Sequence, residues 1–215
     1  MRNKIPAVDE KRVLNQLHKY KCPVPYYVLR AYFMGNIVTP HRDGSPIATI
    51  KNIWGGELPQ FDSLDDLNEL LDVLINSFWN SLTRHQKRNN PFRLINSPIE
   101  ATRLGLSSQA LLRQREAEGF VNGLFNGQQS ADLPRKAHDA LKRIDDIRAI
   151  LEGLHALMED NSKAAASDNE LLMTAKNVQQ LVVALQHEIN VVIQDCMRYR
   201  RQLMKQPLFS DMIYH

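Results

Sequence analysis

Residues 171–203, LLMTAKNVQQLVVALQHEINVVIQDCMRYRRQL, carry an apolar stripe that repeats by fours and threes without a break. Leu171, Ala175, Val178, Val182, Leu185, Ile189, Val192, Cys196, Tyr199 and Leu203 share one side of a helix at this spacing. At the α-helical rise the seam is about 48 Å long, and a seam of that length calls for another helix along it. Leu172, Val183 and Ile193 widen the stripe, which favours a bundle over a bare two-stranded coil. Ser167 and Glu170 form a capping box in front of it.

The nearest partner is the preceding segment. Asp132 and Pro134 start a helix whose stripe is Ala140, Ile144, Ile147, Leu151, Leu154 and Met158, and the short link 161–167 makes the pair an antiparallel hairpin. The two stripes are unequal: a partner of about 28 residues cannot cover about 38 at equal rise. Part of residues 192–203 therefore needs other cover. The N-terminal helices could supply it, or a second copy of the chain, with Val192, Cys196, Tyr199 and Leu203 as a candidate homodimer seam.

Upstream, each periodic segment is again helical. Asp9 caps residues 10–20, a second apolar segment covers 26–38, and Ile47, Ile50 and Trp54 are spaced for a short helix that Gly55-Gly56 ends. Ser63, with Asp66 three residues on, opens a helix through Leu64, Leu67, Leu71, Leu74 and Phe78. Residues 89–106 read as a connection, and Ser107 or Ser108 caps a helix through Leu111, Leu112, Phe120, Leu124 and Phe125. Gly119 and Gly123 lie one turn apart in it. Each costs about 1 kcal/mol relative to Ala, which points to close approach by a neighbour or to a bend. No segment alternates by two. The expected fold is all-α, a multi-helix bundle with a long C-terminal antiparallel helical hairpin. It forms a single domain over 1–215, with a subdivision into 1–130 and 131–205.

Hydrophobic residues at 43% against 24% charged give an ordinary packed core and exclude wholesale disorder. Two cysteines far apart, Cys22 and Cys196, make no disulfide framework. Neither a signal peptide nor an apolar run of membrane-spanning length is recognisable, so a cytoplasmic protein without membrane contact is expected. The net charge of +3 is too small to imply nucleic acid. Its distribution is uneven, however. Residues 57–72 hold six acids and no base, whereas 84–115 hold Arg84, Lys87, Arg88, Arg93, Arg103, Arg113 and Arg115 against one acid, Glu100. That segment is either a basic surface for an acidic partner or a solvated face.

Catalytic signatures are missing. There is no phosphate loop, Gly55-Gly56 lacks the rest of a dinucleotide fingerprint, and His187-Glu188 is followed by Val191 where a zinc-protease helix needs its second His. His155 reads as bordering the hairpin, and Cys22 as a structural thiol. No cofactor, metal or catalysis is expected. The best polar cluster is His41, Arg42 and Asp43 in a Pro-rich loop, which with Trp54, Gly55, Gly56 and Glu57 forms a candidate interaction or ligand loop. Trp54 itself reads as a buried plug at a structural corner.

Two segments carry a resemblance. Tyr32-Phe33-Met34-Gly35, Pro40, Pro46, Ile53-Trp54-Gly55-Gly56-Glu57, Pro59 and Phe61 form the first, and Glu118-Gly119-Phe120-Val121-Asn122-Gly123 the second. In order and separation they resemble the bacterial YecA/YgfB-like family of uncharacterised proteins over residues 10–160. Tyr32-Phe33-Met34 stands where the family usually has Gly-Phe-Leu. The cysteine-rich zinc-binding tail of some members has no counterpart here. The resemblance implies an all-α fold with no established enzymatic activity and regulation through protein contacts. The leading expectation is a protein–protein interaction or regulatory module. A nucleic-acid-associated regulator using 84–115 with Arg198, Arg200, Arg201 and Lys205 is the alternative, and an enzyme with a site near His41 and Asp43 the third.

A far-UV circular dichroism spectrum should show the double minimum of a helix-dominated protein; a spectrum dominated by β-structure would exclude this fold.

Overall fold

The computed structural model describes residues 9–40, 45–128, 132–160, 162 and 167–205, and among these no strand occurs. The elements are α1 (Glu10–Lys19), α2 (Tyr26–Val38), α3 (Pro46–Ile53), α4 (Leu64–Leu71), α5 (Asn80–Leu82), α6 (Arg103–Phe125), α7 (Arg135–Glu159) and α8 (Asp168–Lys205). Between α4 and α5 the helix continues through a wider π-type stretch, Asp72–Trp79, and it ends in a 3-10 turn, Thr83–Gln86. The extra residue per turn shifts the inward face, so Phe78 and Trp79 are buried side by side. Phe33 meets both rings, at centroid distances of 5.5 and 5.1 Å.

Local chemistry sets most helix starts. Asp9 accepts from the Arg12 N–H at 3.2 Å, the Ser63 hydroxyl oxygen from the Asp66 N–H at 3.2 Å, and Glu170 closes its box with Ser167 at 2.7 Å. Two starts differ from expectation. Helix α6 begins at Arg103 with Thr102 as its cap, and Ser107, expected as a cap, is buried inside the helix. For α7, Asp132 accepts from the Tyr199 hydroxyl instead of capping. Asp195 of α8 takes the Ala137 N–H at 3.2 Å. A distant carboxylate supplies what Pro134, without a polar side chain, cannot.

Helices α7 and α8 pair in opposite chain directions: Tyr199 meets Asp132, Asp195 meets Ala137, and Glu188 meets Arg143 at 2.8 Å. Helix α6 lies antiparallel on α7 in turn, with Arg103 at the α7 C-terminus and Glu118 near Arg148. Arg103 donates to the carbonyls of Leu157, Met158 and Asp160, satisfying groups that every helix end leaves open. Helix α2 packs across α6, and one cluster of buried residues runs from Val13 to Cys196.

The glycines explain the α2–α6 contact. A Cβ on Gly119 would lie 2.8 Å from the Val28 carbonyl oxygen, one on Gly35 would lie 2.7 Å from the Leu124 nitrogen, and one on Gly123 would strike the Tyr32 backbone. Close approach, not a bend, is what Gly119 and Gly123 provide.

Cover for the end of α8 comes from within the chain. Val192 and Cys196 are fully buried, and Arg200 donates to the carbonyls of Ile37 and Thr39 at the end of α2. Burial pushes the Cys196 thiol up to about 12, which makes it an inert core group. Tyr199 and Leu203 are half-buried. Of the large apolar side chains left exposed on this hairpin, Met204 is at this end of α8, and the rest are Ile150 and Leu157 on α7 with Leu172, Met173 and Val183 on α8.

Gly123→Ala is expected to lower stability in chemical denaturation by about 3 kcal/mol, through overpacking against backbone that cannot yield. Gly153, with open space around its would-be Cβ in the middle of α7, gives the opposite result. Gly153→Ala should stabilise by about 0.5–1 kcal/mol.

Candidate functional site

The glycine contact decides which part of α6 faces outward. With Gly119, Phe120 and Gly123 turned against α2, residues Arg115, Glu118, Asn122 and Phe125 form a ridge between two grooves. The first groove, about 680 Å³, lies between α6 and α7. Val121, Phe125, Leu133, Leu141 and Ile144 give it an apolar floor. Its rim is charged, with Glu118, Lys142, Asp145 and Arg148 among the lining residues. Arg148 is held there by Asp145 at 2.9 Å, Glu152 at 3.2 Å and Glu118 at 3.6 Å. Across the ridge, adjoining hollows of about 410 and 500 Å³ lie between α2, α3 and α6. Tyr32, Asn52 and Asn122 line both of them, and Phe125 is shared between the second hollow and the first groove.

This face gathers sequence segments that lie far apart in the chain. Gly55 and Gly56, both at positive φ, line the second hollow beside Tyr32 and Asn122. Trp54 is only half-buried: it packs against the core, and its indole N–H donates to the Tyr20 carbonyl at 3.0 Å. Tyr20 in turn meets Phe61 edge-on at 5.1 Å. Trp54 therefore pins the 54–61 corner to the end of α1, as a plug with one satisfied donor and one open flank. Glu57 is exposed. His41, Arg42 and Asp43 lie outside the described residues.

The basic segment 84–115 is not one surface. Arg113 is buried in an ion pair with Glu116 at 2.5 Å and also donates to the Ile95 carbonyl at 2.8 Å. Glu116 accepts from the Ile95 N–H at 2.9 Å. Burial pushes the Glu116 carboxyl above its ordinary range, opposed by that N–H and by Arg113. Arg103 is spent on α7. Arg84, Lys87, Arg88, Arg93 and Arg115 remain exposed. The irregular stretch between the 3-10 turn and α6 is held by side chains in place of a sheet partner. Asn190 bonds both the N–H and the C=O of Phe92 at 2.8 Å, Gln186 accepts from the Leu94 N–H at 3.1 Å, and Arg30 lies over the Phe92 ring while donating to the Arg93 carbonyl. The only sequence signal for this clamp is a pair of amides four residues apart beside the α8 stripe, Gln186 and Asn190.

Sequence reading also missed a contact between Ser107, His155 and Glu159. The Ser107 hydroxyl lies 2.8 Å from His155 Nδ1 and donates to Glu159 at 2.5 Å. In a nucleophilic triad the imidazole stands between acid and hydroxyl. Here the hydroxyl stands between acid and imidazole, and Ser107 is buried, so the trio ties α6 to α7. Among the described residues, no three His, Cys, Asp or Glu side chains are placed to hold a metal ion. No helix there is long and apolar enough to cross a membrane.

Glu116→Ala would leave the Arg113 guanidinium buried without its counter-charge and the Ile95 N–H without an acceptor. The expected loss in denaturant titration is about 3–5 kcal/mol. A smaller loss is expected for the paired replacement of both residues by Met, which removes the unpaired charge but still leaves the Ile95 N–H and C=O without these partners. No family model, curated protein or solved structure matches the chain.

Proposed function

We propose that the protein is a non-catalytic interaction module that takes an apolar segment of a partner protein along the α6 ridge. The observation carrying this reading is the α6–α7 groove, whose apolar floor is bordered by charges on both helices. Such a floor gives affinity through buried area, and the rim gives orientation. A helix with one apolar face matches a groove between two helices. The half-buried floor residues Val121, Leu133 and Phe125 stay partly accessible without a partner.

Membership of the YecA/YgfB-like family belongs to the same proposal. Its support is spatial: Gly35 against α6, Gly119 and Gly123 against α2, and Gly55-Gly56 beside Asn122 bring both resembling segments to this one face. A cytoplasmic location accords with two free thiols, Cys22 and Cys196.

Photo-crosslinking from a probe at Lys142, in cells that make the protein, is the test. Val121→Glu should abolish at least nine-tenths of the crosslinked partner while leaving the thermal transition within a few degrees, and Leu172→Asp, on the exposed hairpin face, should leave capture intact. Undiminished capture by a folded Val121→Glu protein would move the partner site off the groove.

A further inference from the structure

A second cleft, of about 450 Å³, lies on α8 away from the α6 ridge. Its walls are the loop carrying Arg88 and Pro91, the first turn of α7 with Lys136, and His187, Gln194 and Arg198 of α8. The cations are drawn from three separate parts of the chain. Most other long cationic side chains that reach a partner in this fold are spent on structure. Arg12, Lys19, Arg113, Arg143 and Arg148 are ion-paired, and Arg30, Arg103 and Arg200 hold backbone carbonyls. Arg88 and Lys136 are exposed and make no hydrogen bond or ion pair with the described residues. The one carboxylate in the cleft, Asp195, is buried and already answered by the Ala137 N–H at 3.2 Å and Arg198 at 3.1 Å.

The placement of these charges is costly to the fold. Arg135 and Lys136 occupy the first turn of α7, where the helix dipole favours acids and disfavours cations. Asp65 and Asp66 open α4 and Asp168 and Glu170 open α8 in line with that preference, whereas α6 opens on Arg103, which is taken up by the α7 carbonyls. Lys136, unlike Arg103, finds no hydrogen bond or ion pair among the described residues to offset its place. An anion in the cleft would meet the unpaired Arg88 and Lys136 together, beside Arg198, which is paired with Asp195.

We propose that this cleft binds the phosphodiester backbone of single-stranded nucleic acid, by charge and without reading sequence. Exposed cations continue beyond the cleft on both sides: Arg84, Lys87 and Arg93 along the clamped loop, and Arg135 on α7 with Arg201 on α8. A strip of this kind suits a chain that repeats its charge along its length better than it suits one isolated phosphate. The cleft is a hollow and not a projecting face, which disfavours a flat anionic membrane. Among its lining residues there is no Phe, Tyr or Trp, and the contacts it offers are to charge along the backbone. The site is independent of the α6–α7 groove and shares no residue with it.

The test is fluorescence anisotropy with a labelled oligothymidylate about 20 nucleotides long, titrated with the full chain from about 50 to 200 mM salt. Binding should be saturable with a dissociation constant on the order of 10 µM at the low-salt end. Arg88→Glu combined with Lys136→Glu should weaken it by about tenfold or more and reduce the log–log salt slope by about 1.4. Lys11→Glu combined with Lys51→Glu makes the same change in net charge on α1 and α3, outside the cleft, and should weaken binding less than about twofold. Circular dichroism melting of each variant keeps loss of fold distinct from loss of binding. Equal weakening by the two double variants would overturn the proposal, as would absence of saturable binding. So would association with phosphatidylserine vesicles, or direct binding of inorganic phosphate at millimolar concentration, in a protein that does not bind the oligonucleotide. Failure here leaves the groove reading standing, because crosslinking from Lys142 reads a different surface.

Discussion

The backbone of α2 lies directly on the backbone of α6, and the rest of the fold is arranged around that contact. Gly35, Gly119 and Gly123 remove the side chains that would otherwise hold the two helices a residue apart. An ordinary helix pair is separated by interlocking side chains and tolerates small changes in their volume. Here the opposing atoms are carbonyls and amides, which cannot change rotamer. The angle and register of α2 on α6 are therefore set tightly. That register turns Leu124 and Phe120 into the core and leaves Glu118, Asn122 and Phe125 outside. The ridge and both of its grooves are consequences of where three glycines fall.

A second regularity is the use of long polar side chains to satisfy backbone. Arg103 closes the end of α7, Arg200 closes the end of α2, and Arg30, Asn190, Gln186 and Glu116 hold the irregular segment before α6. In a fold without a sheet, an irregular segment against the core must find side-chain partners or leave its polar groups unpaired. Guanidinium groups suit this task because one planar fork reaches two or three carbonyls. A count of arginines is thus a poor guide to the surface charge of this protein. What matters is which cations remain after the backbone has taken its share, and two of those, Arg88 and Lys136, meet at the α8 cleft beside Arg198.

The two proposed sites accordingly differ in kind and in place. The α6–α7 groove has an apolar floor and a rim on which Arg148 is paired with Asp145 and Glu118. The α8 cleft has two cations without partners, Arg88 and Lys136, and a carboxylate already paired with Arg198. One surface offers buried area and the other offers charge. A module carrying both would bring a protein and a nucleic acid strand onto separate surfaces of one helical body.

Helix identity and the α7–α8 pairing were legible in sequence because periodicity and capping are local properties: a stripe such as Leu185, Ile189, Val192 and Cys196 needs only the helix's own geometry to be read. Gly119 and Gly123 also announced a close contact through their cost, though not the helix that would make it. The limits of local reading show at Ser107, whose residue type suits a cap but whose position in the folded chain places it against His155 and Glu159. They show at Val192 and Cys196 as well, where unequal helix lengths left open whether the chain itself or a second copy would provide cover, and α8 is in fact overlaid by its own N-terminal helices. The grooves, the clamped segment and the cationic cleft each join residues tens to more than a hundred positions apart, as Phe92 and Asn190 do. Sequence alone determined which stretches are helical and which faces are apolar, since neighbours along the chain decide those. Which faces stay uncovered, and which charges stay unpaired, only tertiary structure decided, because each depends on a partner that chain order does not specify.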